Sequence, residues 1–119
     1  LDPNGLATGD FNRDGRLDLA TANDDSATVS VLLGVGDGTF GPRTDLPVPG
    51  SPTGVVAADL DGDGFTDLAA AGAEVRIFFG RGDGTFDDPV DLAIGQPRAI
   101  AVGDLDGDGR ADLVVSRRV

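Results

Sequence analysis

Nine residues, Asp59-Leu60-Asp61-Gly62-Asp63-Gly64-Phe65-Thr66-Asp67, place side-chain oxygens at the first, third, fifth and ninth positions of a short segment. The pattern returns at Asp10-Phe11-Asn12-Arg13-Asp14-Gly15-Arg16-Leu17-Asp18 and at Asp104-Leu105-Asp106-Gly107-Asp108-Gly109-Arg110-Ala111-Asp112. Alternate carboxylates on a curling backbone converge while the residues between them point away, so any fold must let each segment close into a loop around a cation. Calcium suits such a set, taking about 6–8 oxygen ligands at roughly 2.3–2.6 Å. Gly64, at the sixth position, permits the sharp turn that a side chain would obstruct. The carbonyl of Phe65 is expected to face the ion.

Other readings of these loops fail on particular positions. An EF-hand needs a bidentate Glu at its twelfth position and flanking helices, whereas the twelfth positions here are Thr21, Ala70 and Val115. Helical loops of the dockerin kind are excluded because no helical periodicity surrounds the segments. Aspartates that merely cap turns would crowd three or four carboxylates together, a repulsion that a cation relieves. Asn12 and Arg13 make the first loop less anionic than the others, so it is expected to bind weakest.

The formal net charge is −12, with twenty Asp, one Glu and no Lys, and eleven of the aspartates lie in the three loops. Three divalent ions would offset six charges, so the acidity reads as ligand inventory. An acidic surface without clustered cations excludes phosphate-backbone binding, and nucleic acid is not an expected partner. No stretch approaches the ~20 apolar residues of a membrane helix. Cysteine is absent, so thiols say nothing of compartment. Low-affinity calcium sites suggest an extracellular or periplasmic setting. With no initiator Met or signal peptide before Leu1, the chain reads as a mature or excised fragment.

Between the loops the chain reads as short strands. An entry turn over Leu1 to Gly5 leads into a strand at Leu6 to Gly9. After the first loop come strands at Leu17 to Ala22 and Thr28 to Leu33, joined by the polar connection Asn23 to Ala27. Asp37-Gly38 signals a hairpin turn of type I′, and an edge strand follows at Arg43 to Val48, where Pro47 is tolerated. The order repeats with Val55 to Ala58, Asp67 to Ala71, Val75 to Phe79, a turn at Asp83-Gly84, and Pro89 to Ile94. A third unit holds Ala99 to Gly103 and Asp112 to Ser116. The loop starts lie 49 and then 45 residues apart. Such a period with four strands per unit indicates β-propeller blades. The apolar runs Val55–Ala58 and Ala99–Val102 are expected to be inner strands covered on both faces. The fold class is thus all-β, with four-stranded antiparallel blades and about two and a half of them in one array spanning 1–119: about 5–49, about 53–95, and a partial third at about 98–119.

With loops and turns in hand, the repeats resemble the FG-GAP and VCBS-type repeats of integrin α-subunit heads and bacterial surface proteins. The resemblance is carried by the three loops, by the two Gly-Asp-Gly-Thr-Phe segments and by Phe79-Gly80. It implies a calcium-binding hairpin loop between the first two strands of each blade. The implied ligands are Asp10, Asn12, Asp14 and Asp18; Asp59, Asp61, Asp63 and Asp67; and Asp104, Asp106, Asp108 and Asp112. Backbone carbonyls of Arg16, Phe65 and Arg110 complete the sets, for about three Ca2+ per chain. Family propellers have about seven blades, within the general range of about 4–8, so the chain reads as a piece of a longer protein; assembly of several copies is the alternative.

Arg81-Gly82-Asp83 spells an adhesion tripeptide, but Val35-Gly36-Asp37 holds the same place in the other unit, so turn chemistry accounts for it. Phe40, Phe78, Phe79 and Phe86 read as core. Without His or Cys the usual bases, thiol nucleophiles and zinc sets are missing; a carboxylate pair drawn from Asp24, Asp25, Asp45, Asp87, Asp88 or Asp91 has nothing to set its separation. The expected function is a non-enzymatic, calcium-binding structural or interaction module of an extracellular propeller. Its partners would be an unidentified protein or glycan, together with further blades of the same parent or of other copies. The alternative is a carbohydrate-binding propeller or the non-catalytic part of a secreted polysaccharide-active enzyme, a role weakened by the absence of Trp and Tyr.

Overall fold

Runs rich in Val, Ile, Leu, Ala and Thr, each closed by Gly, Asp or Pro, produce ten strands and no helix among the described residues, in a computed structural model that describes residues 3–117. They are β1 (Pro3–Gly9), β2 (Asp18–Asn23), β3 (Thr28–Leu32), β4 (Thr44–Pro47), β5 (Gly54–Ala58), β6 (Asp67–Ala71), β7 (Val75–Phe78), β8 (Val90–Leu92), β9 (Pro97–Gly103) and β10 (Asp112–Arg117). Antiparallel pairing in chain order gives two four-stranded sheets, β1-β2-β3-β4 and β5-β6-β7-β8, and a two-stranded sheet of β9 and β10. The sheets are blade-like, and no closed ring forms among the described residues. The repeat extends to register: Gly9 pairs with Asp18, Ala58 with Asp67 and Gly103 with Asp112, so each Asp-rich loop joins the same two strand ends.

The sheets stack face to face. Between the first and second lies a cluster of Phe11, Ala20, Ala22, Val29, Val31 and Val48 from one side and Val55, Leu68, Ala70 and Phe78 from the other. Between the second and third, Ala69, Val75 and Ile77 meet Ile100, Leu113 and Val115. Strand alternation explains the partition, since Leu68 and Ala70 project to one face of β6 and Ala69 to the other. Each large side chain buried in this way contributes about 1.5–3 kcal/mol. Small residues set the spacing at the inner edge, where a Cβ on Gly5 would lie 3.0 Å from Gly54 Cα. At the outer edge Arg76 donates twice to Asp91, at 2.7 and 2.9 Å, and once to the Pro47 carbonyl at 3.1 Å, joining the second sheet to the first.

Three expectations are corrected. The turn expected over Pro3 to Gly5 is strand, with a shift in pairing between Pro3 and Gly5 that absorbs the breaker residues; Leu1 and Asp2 of that turn lie outside the described residues. Full burial does not fall on the first strands: β5 is mostly half-buried and Ala99 and Ala101 of β9 are exposed. Every residue of β6 is buried instead, because it has a strand on each side within its sheet and a sheet against each face. The Asp37-Gly38 turn is not type I′. Positive φ falls on Gly36 (90°) and Gly38 (89°), not on Asp37, because Asp37 Oδ1 accepts from the Thr39 N–H at 2.9 Å and the Thr39 hydroxyl at 2.5 Å. This side-chain turn replaces the backbone one.

Candidate metal centre

Each loop is curled by its own aspartates. In the second, Asp59 accepts from the N–H groups of Gly62 and Gly64, both at 2.9 Å, and Asp63 Oδ1 accepts from Phe65 at 2.9 Å. The third is its copy, with Asp104 accepting from Gly107 and Gly109 at 2.9 Å and Asp108 from Arg110 at 2.8 Å. In the first, Asp10 accepts from Asp14 at 3.2 Å and Gly15 at 2.8 Å, and Asp14 accepts from Arg16 at 2.8 Å. The sixth-position glycines, Gly15, Gly64 and Gly109, all have positive φ, as the sequence required. The fourth position does too: φ is 78° at Gly62, 76° at Gly107 and 59° at Arg13. Arg13 hid this second requirement, and its guanidinium lies 5.2 Å from the centre of the Phe65 ring in the next sheet.

The curl gathers the side chains. One oxygen each from Asp59, Asp61, Asp63 and Asp67 lies within 4.8 Å of the others, and Asp104, Asp106, Asp108 and Asp112 do the same. Asp10, Asp14 and Asp18 belong to no such acidic group among the described residues; Asn12 stands between two of them, one atom of its amide 3.0 Å from Asp14 Oδ1 and 3.1 Å from Asp10 Oδ1. With nitrogen inward these contacts are hydrogen bonds, and with oxygen inward the amide is a neutral ligand to a hard cation.

The ninth aspartate does more than the sequence indicated. Asp67, with no exposed surface, accepts from Leu60 N–H on Oδ2 at 2.8 Å and from Gly80 N–H on Oδ1 at 2.7 Å. Asp18 repeats this with Phe11 at 2.7 Å and Gly34 at 2.8 Å, while Asp112 holds Leu105 at 2.8 Å. Asp18 and Asp67 thereby fasten each Asp-rich loop to the loop beyond the third strand of its own sheet. Gly34 was missed, and Gly80 was marked only as half of the Phe79-Gly80 element, without this role. Their signal was their identical place after Leu33 and Phe79.

Crowding has an electrostatic consequence. Desolvation by its neighbours, reinforced by Asp63 and Asp67, pushes the Asp61 carboxyl up from 3.8 to about 6. Burial also raises Asp67 against the hydrogen bonds from Gly80 and Leu60. Burial would raise Asp59 as well, but the N–H groups of Gly64 and Gly62 outweigh it and hold that carboxyl below its ordinary value. Between the ordinary value and about pH 6 the metal-free fold therefore keeps a proton on Asp61 that the unfolded chain has lost, and its stability falls as pH rises through that window. The lowered carboxyls titrate below it and do not oppose the trend. Melts in chelator at pH 4.5 and pH 7 are expected to show the lower melting temperature at pH 7, and Asp61→Asn to reduce the difference; the opposite slope would refute this electrostatic picture.

The remaining motifs resolve into structure. Arg81 pairs with Asp87 at 2.6 Å and Asp83 turns inward to Thr85, so two side chains of the tripeptide serve their own loop. Phe78 lies in the core and the half-buried Phe86 packs against it, their rings 6.5 Å apart, and Phe79 is packed against the second cluster. Phe40 is the exception at 39% exposed. Of the carboxylates considered for catalysis, Asp45, Asp87 and Asp91 are held by Arg43, Arg81 and Arg76.

A family model described as FG-GAP-like repeat matches residues 10–70 and, a second time, residues 61–115. No curated protein matches the chain.

Proposed function

The chain belongs to the FG-GAP-like repeat family, and from that premise we propose that it is a calcium-stabilised, non-catalytic interaction module of an extracellular β-propeller protein. The observation that carries this reading is the pair of four-carboxylate groups, each within 4.8 Å, at the same register of two successive sheets. An all-oxygen set of this charge fits calcium, a hard cation that tolerates irregular coordination, better than zinc or another ion that prefers nitrogen and sulfur.

Asp59, Asp61, Asp63 and Asp67 would hold one ion with the Phe65 carbonyl; Asp104, Asp106, Asp108 and Asp112 a second with that of Arg110. Asp10, Asn12, Asp14 and Asp18 would hold a third with that of Arg16. Bound there, calcium neutralises the carboxylates and locks each hairpin loop. Because the Asp67 and Asp18 carboxylates also grip Gly80 and Gly34, the order is passed to the neighbouring loop beyond the third strand of the same sheet. The exposed loop ends and sheet faces are then left to a protein or glycan partner.

Native mass spectrometry and thermal melts in millimolar calcium and in chelator test the reading. Three bound ions are expected, with about 2.7 kcal/mol of stabilisation from one site at a hundredfold excess over its dissociation constant. The first loop is expected to fill last, and Asn12→Asp to tighten it by adding a ligand charge. A chain that binds no calcium and melts identically in both buffers would refute the proposal.

A further inference from the structure

We propose that Arg13 and Phe65 couple the first two Asp-rich loops, so that an ion held in either loop tightens the other, while the second and third loops lack this link. The inference deepens the calcium reading and rests on it. Arg13 holds the fourth place of the first loop in the left-handed region, with φ at 59°, where the other loops have Gly62 at 78° and Gly107 at 76°. A side chain is uncommon in that region and persists where its surroundings hold it. Here the holding contact comes from the second sheet. The Arg13 guanidinium lies 5.2 Å from the centre of the Phe65 ring, and the two converge over Gly82. A Cβ added to Gly82 would come within 2.7 Å of the ring and 3.2 Å of Arg13 Cδ, so a bare glycine stands where ring and arginine stem meet. At Gly36, the same place in the first sheet, Arg16 fills the space instead.

Phe65 belongs to the second site through its backbone. It holds the seventh place of that loop, its N–H donates to Asp63 Oδ1 at 2.9 Å, and its carbonyl is the one that the calcium reading turns to the ion. Whatever fixes the Phe65 backbone therefore fixes the ring on which Arg13 rests. Whatever fixes Arg13 holds the left-handed turn that the first loop needs in order to close. Ordering one loop thus lowers the conformational entropy still to be removed from the other, and by linkage the effect on affinity is reciprocal. Arg13 is exposed, so the expected size is that of a surface cation–π pair, about two- to fivefold in affinity. The chain also carries its own control. Gly62, at the fourth place of the second loop, has no side chain to reach the third loop, whose seventh place is Arg110 rather than an aromatic ring. Ions in neighbouring loops repel each other in both pairs, screened over about 8 Å at physiological salt, and the Arg13 contact is what distinguishes the first pair.

Calcium binding measured by competition with a chromophoric chelator at physiological salt, on chains with chosen loops emptied, tests the coupling. Asp106→Ala leaves the first pair of loops and Asp14→Ala the second pair; combining two of Asp14→Ala, Asp61→Ala and Asp106→Ala leaves each loop alone. The overall binding constant of a pair, divided by the product of its two single constants, is its coupling factor. That factor is expected to be about two- to fivefold larger for the first pair than for the second. Arg13→Gly, which installs the residue of the other two loops, and Phe65→Ala are each expected to bring the first pair down to the value of the second. Because Arg13→Gly leaves the ring in place, the test stands even if Phe65→Ala fails to fold. Equal factors for the two pairs in the parent, or an excess that survives Arg13→Gly, overturn the proposal while leaving the calcium reading intact. A chain that binds no calcium refutes that reading, and the coupling with it.

Discussion

Asp67→Ala is expected to cost about 3–5 kcal/mol and to remove one bound calcium. The side chain is fully buried and each oxygen takes a backbone N–H, from Leu60 and from Gly80. Truncation leaves both donors without an acceptor, at about 1–3 kcal/mol for each. The metal-free protein therefore suffers as well. Asp61→Ala is the contrast, since Asp61 is exposed and repelled by its neighbours. It is expected to empty the second site while leaving the metal-free melting temperature level or higher. Melts of both variants in chelator, with calcium counted by native mass, separate the roles; a metal-free Asp67→Ala protein as stable as the parent would show that this carboxylate serves only the ion.

Gly80→Ala is expected to destabilise by at least about 3 kcal/mol, the range of steric overlap and broken buried hydrogen bonds. A methyl group at Gly80 would overlap the Thr66 carbonyl oxygen, and a shift to relieve it would draw the Gly80 N–H from Asp67. Gly34 meets the Leu17 carbonyl in the same way. Gly95 is the control, because a Cβ there meets nothing within 4 Å, and Gly95→Ala is expected to stay within about 0.5 kcal/mol of the parent. Chemical denaturation of the two variants decides the matter: equal midpoints for Gly80→Ala and Gly95→Ala would show that the sheet yields at this approach.

The Asp-rich loops and strand order were legible because both are written locally. Alternate aspartates with a glycine at the sixth position specify a curl whatever surrounds it, and short apolar runs rich in β-branched residues between turn residues specify strands. Legibility ended where one local turn competes with another and where a residue answers to a neighbour distant in sequence. Asp37 carried the right turn signal and the wrong turn, because Thr39 was available to its carboxylate. Asp67 was read as a ligand, but its bond to Gly80 spans 13 residues and nothing near Asp67 announces it. Arg13 concealed a left-handed position that Gly62 and Gly107 display openly.

The sequence by itself determined a repeating all-β chain with three Asp-rich hairpin loops, since loop curl, strand alternation and turn chemistry act over a few residues. Only the tertiary structure decided which of the equivalent positions meet a partner. Phe11 is buried, Leu60 packs into a cluster and Leu105 lies open, though all three hold the second place of the same loop. Phe86 is packed while Phe40 faces outward, and β6 rather than β5 is covered throughout. Burial is a property of what lies against a face, and sheet stacking sets that in space, beyond the reach of any local period.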